Sequence, residues 1–233
     1  MRTLHVQAPL EMGAEMPFAP ALRKFTFTTH ITSSVGWIGA VLAFLALALI
    51  GLTSEDEATV RGAYLVMAPA AWFVLVPLAH ASLLSGIAIS LGTPWGLIRH
   101  YWVVLKLLIT AFATVILLIY MGTFRQMAGL AADPIVDLGL VRNPSPVLHA
   151  ILALALLLIA TVLGVYKPFG MTPYGSRKQA AERRPAAGAS AFSGPLRSIR
   201  STGATPWPYI AAVIAILALA FVLLHLAGGH VRH

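Results

Sequence analysis

The chain has 233 residues, of which 58% are hydrophobic and only 10% charged, with 16 Lys or Arg against 8 Asp or Glu and no cysteine. A soluble domain carries about a quarter charged residues, so a water-soluble fold is excluded, and with it every disulfide, iron–sulfur or thiolate metal site. In so apolar a chain the basic excess reads as membrane topology rather than nucleic-acid binding, because Lys and Arg gather in cytoplasmic segments.

The N-terminal segment, 1–28, contains Glu11, Glu15 and prolines instead of a short apolar core with a small-residue cleavage site, so no cleavable signal peptide is expected. Five apolar runs then follow, at 31–53, 64–91, 96–121, 146–166 and 208–228. Each reaches the roughly 20 residues that a helix needs to cross the hydrocarbon core. Only helices or closed barrels satisfy their backbone groups in lipid. The alternating strands of a barrel are absent, so the chain reads as an all-α polytopic membrane protein. The first span enters through "THITSS" and leaves into the acidic "TSEDEATVR". The second contains Pro69, Pro77 and Gly86, breaks that a membrane helix tolerates with a kink. The turn "GTPWG" reverses the chain, with Pro94 suited to the first turn of the third helix. A loop of about two dozen residues leads to the fourth span, which Pro146 opens.

The resulting organisation is a four-helix transmembrane bundle at 29–167, a basic flexible linker at 168–206 and a tethered fifth transmembrane helix with its outer tail at 207–233. The linker is read from its Ala, Gly, Ser, Pro and Arg content. The face bearing the N-terminal tail, Arg99 and the linker holds 11 Lys or Arg, and the other face holds four, with five of the eight acids. The basic face is therefore expected to be cytoplasmic in a bacterial plasma membrane, with the N-terminus inside and the C-terminus outside.

Ionisable groups inside transmembrane spans cost about 2.5–3.5 kcal/mol each on insertion scales, so they are the first candidates for function. They are His30, His80, Lys106, His149 and His225, with Arg99 and His100 near an edge, and no Asp or Glu lies in any span. His30 is either an interfacial residue beside Thr28 and Thr29 or a haem or metal ligand, the latter helped by the small-residue face Ser33, Gly36, Ala40. His80 is either a neutral residue bonded to a carbonyl, Ser82 or Ser85, or a ligand. At a rise of about 1.5 Å per residue, His80 and Lys106 fall at one level near the membrane centre. Snorkelling from there reaches only part of the way out, so Lys106 is expected to face the bundle and a polar partner. His100 reads as an interface residue and His149 as a structural one.

Imidazole is the commonest haem ligand and bundle interiors are usual cofactor sites. Arg23, Lys24 and Arg99 supply cations on the face of His30 and His100 that suit propionates. Haem b is thus the expected cofactor, held by His30, with His80 or His100 as second ligand and Lys106 and Arg99 as electrostatic partners. Copper at His30 and His80 is the alternative metal reading.

The stretches "THITSSVGWIGAVLAFLALA" and "LLSGIAISLGTPWGLIRHYWVVLKLL" resemble a bacterial family of uncharacterised integral membrane proteins. They are similar, more distantly, to the copper-resistance protein D family and to haem-b membrane protoporphyrinogen oxidases. The residues that carry the resemblance are His30, Trp37, Gly39, Ser85, Gly86, Trp95, Gly96 and Lys106, and it covers about 25–125. It implies that a first-helix histidine and a later helical lysine are the functional pair, positions occupied here by His30 and Lys106. Three functions are expected from these readings. The first is a haem-binding redox protein, the second an accessory or scaffold subunit of a larger membrane complex or homo-oligomer, and the third a carrier of copper or a small solute. No phosphate loop, nucleophile elbow or carboxylate pair points to a soluble-type enzyme.

Overall fold

The computed structural model describes residues 18–93, 95–168 and 170–187, together with positions 212, 215, 216 and 219. Four helical stretches among these are long and apolar enough to cross a membrane: Pro20–Thr53, Glu57–Leu91, Tyr101–Ala132 and Leu138–Tyr166. The fifth expected span, the end of the linker and the N-terminal tail lie outside the described residues.

Helix α1 (Pro20–Thr53) starts on a proline, whose missing N–H and fixed φ suit a first turn. Helix α2 (Glu57–Leu91) starts on Asp56, whose carboxylate accepts from the Thr59 N–H at 2.9 Å. The Thr59 hydroxyl also donates to Asp56, and these bonds hold its carboxyl below the usual range. That cap operates above the ordinary aspartate pKa and is lost as pH falls through the depressed one. Midway along α2, Ala71–Leu75 form a π-helical turn between Pro69 and Pro77, closed by the Val76 N–H on the Ala71 carbonyl. Each proline removes one donor and crowds the carbonyl four residues back, and the wider turn accommodates the mismatch. The hydrogen-bond ladder is thus irregular where the two prolines lead one to expect a break.

Helix α3 (Tyr101–Ala132) follows a turn in which Gly96 has φ +61°, where a Cβ would also meet the Arg99 side chain at 2.6 Å. A short α4 (Leu138–Val141) and α5 (Ser145–Tyr166) complete the bundle. Its interior is a stripe from each helix: Trp37, Val41, Phe44 and Ala48 on α1 meet Tyr64, Met67, Ala71 and Leu75 on α2 and Tyr120, Phe124 and Met127 on α3. The outward faces are apolar too: Phe73 is 75% exposed, Ile119 66% and Val165 69%. A surface of that kind fits lipid rather than water, so the chain is an all-helical, membrane-embedded protein.

Three expectations are corrected. Helices α1, α2 and α3 outrun their apolar cores: α1 begins 11 residues before position 31, α2 begins before 64, and α3 continues to Ala132 rather than 121. Polar residues such as Arg61, Thr123 and Arg125 end the hydropathy signal, yet Val60, Tyr64, Phe124 and Met127 keep the buried stripe at helical spacing. The third helix begins at Tyr101 and not at the "GTPWG" turn. Finally, the start of the basic segment is not a flexible linker, since Pro173–Ala187 form helix α6. Ala, Arg, Lys, Gln and Glu are good helix formers, and the Thr172 hydroxyl caps the Gly175 N–H at 3.1 Å. Thr172 also donates its N–H to the Arg99 carbonyl at 2.9 Å and its hydroxyl to that of Ile98 at 2.7 Å, which pins α6 to the turn before α3.

Antiparallel packing sorts the charges. Arg23, Lys24, Arg99, Lys167 and α6 gather at one end of the bundle, hereafter the basic end. Glu55, Asp56, Asp133 and Asp137 in the connections, and Glu57 in the first turn of α2, lie at the other, acidic end. There Arg61 bridges Glu57 at 2.8 Å and donates to the Asp133 and Val136 carbonyls, both at 2.7 Å. Arg142 donates to the carbonyls of Leu52 and Ser54. Both guanidinium groups therefore serve the connections and not a ligand.

Candidate functional site

The first-helix histidine and the third-helix lysine meet. Lys106 Nζ lies 3.3 Å from His30 Nε2. The other ring nitrogen, Nδ1, is 3.0 Å from the Ser82 carbonyl oxygen and 3.2 Å from the Ser85 hydroxyl. A carbonyl only accepts, so Nδ1 carries the hydrogen and donates it, which leaves Nε2 as a bare lone pair. Lys106 therefore donates to a neutral imidazole whose tautomer is set by α2. The Ser85 hydroxyl donates to the Ala81 carbonyl, which turns its oxygen toward Nδ1 as a second acceptor. Ser34 and Ser82 share a hydrogen bond of 2.8 Å one turn further along.

Two glycines make room for the pair. A Cβ on Gly86 would lie 3.1 Å from His30 Cε1, and one on Gly164 would lie 3.2 Å from Lys106 Nζ. Thus α2 and α5 approach the imidazole and the ammonium so closely that even a Cβ would require its neighbour to give by a few tenths of an ångström. Gly164→Leu is expected to displace the ammonium and weaken ligand binding at least about tenfold, with an overpacking cost of about 1–3 kcal/mol. Gly39→Leu, at an exposed position where a Cβ meets nothing within 4 Å, is the control in a binding titration with a parallel melting curve.

The pair lines a cavity of about 200 Å³ whose walls include Phe27, Leu83, Trp95, Trp102 and Leu107. No Asp or Glu is among the described residues that line it. The Ser90 and Thr110 hydroxyls donate to the Gly86 and Lys106 carbonyls, each at 2.8 Å, so they offer a ligand acceptors and no donor. The strong donors are Lys106 and Lys167, whose ammonium lies 4.7 Å over the Trp95 ring. Cationic donors in an apolar chamber select an anion with an apolar body.

The other sequence candidates do not converge here. His80 bonds the Val76 carbonyl at 2.8 Å within its own helix and is not among the residues lining the cavity. Its expected partners Ser82 and Ser85 serve His30 instead. Lys106 is not level with His80 at mid-membrane but five residues inside α3 and opposite Gly164, near the end of α5. Counting depth from "GTPWG" placed it too deep because the residues up to His100 are turn, not helix. His100 precedes α3, with Nδ1 2.9 Å from the Trp95 carbonyl and its ring edge-on to Trp95 at 5.2 Å. Arg99 contributes its carbonyl to the α6 junction. His149 lies in a separate, nearly apolar cavity, stacked on Tyr120 at 3.8 Å and bonded to the Ser145 carbonyl at 2.8 Å.

Among the described residues no group of three or more His, Asp or Glu is placed to hold a metal ion. Axial coordination of a haem by His30 is a poor fit to this arrangement, because both ring nitrogens are engaged and Lys106 occupies the approach to Nε2. The carboxylate end of such a ligand fits Lys106 well. The fold and site define a polytopic helical membrane protein with a cationic chamber at the basic end of its bundle. Neither a protein-family model, nor a curated protein, nor a solved structure matches the chain.

Proposed function

We propose that the protein binds an amphipathic carboxylate within the membrane, with Lys106 pairing to the carboxylate and His30 holding Lys106 in position. One observation carries this reading. The Lys106 ammonium has three donors, and among the described residues its side chain has one acceptor, the neutral His30. A cation removed from water with a single neutral partner is costly unless a further acceptor arrives, and the 200 Å³ chamber is where it would sit.

Haem b, the cofactor that the resemblance implies, presents such carboxylates in its propionates, and the redox role rests on that cofactor. The basic end faces the cytoplasm of a bacterial plasma membrane in this reading, since Lys and Arg concentrate there. The test is a titration of the detergent-purified protein with haem b and with its dimethyl ester, read as a change in Soret absorption. Haem b is expected to bind at least about tenfold tighter than the ester, the value of a charge-assisted hydrogen bond. Equal binding of acid and ester overturns carboxylate recognition. A Soret band that vanishes in His30→Ala but persists in Lys106→Met restores the axial role of His30 in its place.

A further inference from the structure

The 200 Å³ chamber carries a second cation on its wall, Lys167. That residue ends α5 in the left-handed region, at φ 44° and ψ 49°, with its N–H donating to the Leu163 carbonyl at 3.0 Å. Among the described residues it is the one non-glycine residue with a positive φ. Glycine is the usual occupant of such a cap, because a Cβ crowds the backbone in this conformation. The fold thus holds a lysine where the backbone alone favours glycine. A cation at a helix C-terminus is one compensation. It does not require the side chain to turn inward, yet the Lys167 ammonium lies 4.7 Å over the Trp95 ring on the chamber wall. Trp95 is itself held, since the His100 Nδ1–H donates to its carbonyl at 2.9 Å and Trp102 meets its ring edge-on at 5.7 Å.

The second cation stands close to the first. Lys106 Nζ faces Gly164, and Lys167 follows it on α5 by one turn, a rise of ~5 Å. Lys106 is half-buried and Lys167 exposed, which sets one ammonium inside the chamber and the other at its mouth. Like charges one turn apart repel, and no Asp or Glu is among the described residues that line the chamber. The Trp95 ring and the His30 imidazole are neutral partners, so both charges stay uncancelled. One carboxylate would balance half of that charge, and two would balance all of it.

We infer that the chamber selects a dicarboxylate, with Lys106 holding one carboxylate inside and Lys167 the other at the mouth. This rests on the carboxylate reading proposed above and adds a second anchor to it. A ligand with a single carboxylate, such as a fatty acid, makes only one of the two pairings.

Absorption titration of the detergent-purified full-length protein with haem b, its monomethyl ester and its dimethyl ester separates the two anchors. Haem b is expected to bind about fivefold tighter than the monoester, the upper value for one exposed ion pair. The monoester should still bind tighter than the dimethyl ester, through Lys106. In Lys167→Gly, haem b and the monoester should bind alike, while the monoester keeps its advantage over the dimethyl ester, which shows the chamber intact. The variant should melt no lower than the parent, because glycine adopts this backbone without the Cβ penalty. Lys167→Arg, which keeps the charge, should retain the preference for haem b over the monoester. Equal binding of haem b and the monoester by the parent, with the dimethyl ester weaker, overturns the second anchor and leaves the Lys106 reading standing. A preference for haem b that survives in Lys167→Gly overturns Lys167 as that anchor. Equal binding of all three overturns both.

Discussion

Lys106→Met is expected to weaken binding of a carboxylate ligand about a hundredfold while leaving the bundle as stable as before, or more so. The ammonium donates to one neutral acceptor, His30 Nε2 at 3.3 Å, so its removal breaks no ion pair among the described residues. Exchanging a desolvated charge for an apolar chain of similar length is commonly neutral or stabilising. The ligand, by contrast, loses a charge-assisted hydrogen bond of about 1.5–3 kcal/mol, the upper end of which is about a hundredfold in affinity. Lys106→Arg keeps a cation on the wall of the 200 Å³ chamber and is expected to retain more of the affinity than Lys106→Met. An absorption titration of Lys106→Met and Lys106→Arg against the parent, with melting curves, checks both halves. Unchanged affinity in Lys106→Met would remove the proposed site.

The largest loss of stability is expected from Tyr64→Ala. Tyr64 is fully buried, its ring packs against Gly51, where a Cβ would lie 3.0 Å from two ring carbons, and its hydroxyl both donates to the Asn143 carbonyl at 3.2 Å and accepts the Asn143 N–H at 3.0 Å. One side chain thus fastens α2 to α1 and to the segment entering α5. Truncating a buried aromatic costs about 3–5 kcal/mol. Tyr64→Phe keeps the ring and strands the Asn143 N–H, for about 1–3 kcal/mol. Denaturant or thermal unfolding in detergent should rank parent, Phe and Ala in that order. A Phe variant as destabilised as Ala would place the whole effect in the hydroxyl, and an Ala variant like the parent would refute the packing argument.

How much of this was legible in the sequence varies with the physics of each feature. The four spans were legible because hydrocarbon thickness converts directly into a run of apolar residues. Their ends were less so. Hydropathy marks where lipid stops, whereas a helix continues as long as one stripe still packs, as Phe124 and Met127 do beyond position 121. The meeting of His30 and Lys106 was legible only through residue type and a loose resemblance, since 76 positions separate them. Ser82 and Ser85 carried a signal that was attached to the wrong histidine: His80 is near in sequence, but His30 is the one that α2 faces. Gly164 gave no sign at all, because a glycine in a membrane helix is ordinary until the side chain opposite it is known.

By itself, then, the order of residues determined the class of solvent around this chain, the number of helices long enough to cross it within 18–187, and the separation of basic from acidic connections. These follow from composition and spacing along one strand of peptide. The tertiary structure alone decided which costly side chain found which partner, that Lys106 faces a neutral imidazole, and that Lys106 and Lys167 border one cavity. Those outcomes depend on the rotation of each helix about its axis, and that rotation is set by close packing at Gly86, Gly164 and Gly51 rather than by any single helix's own sequence.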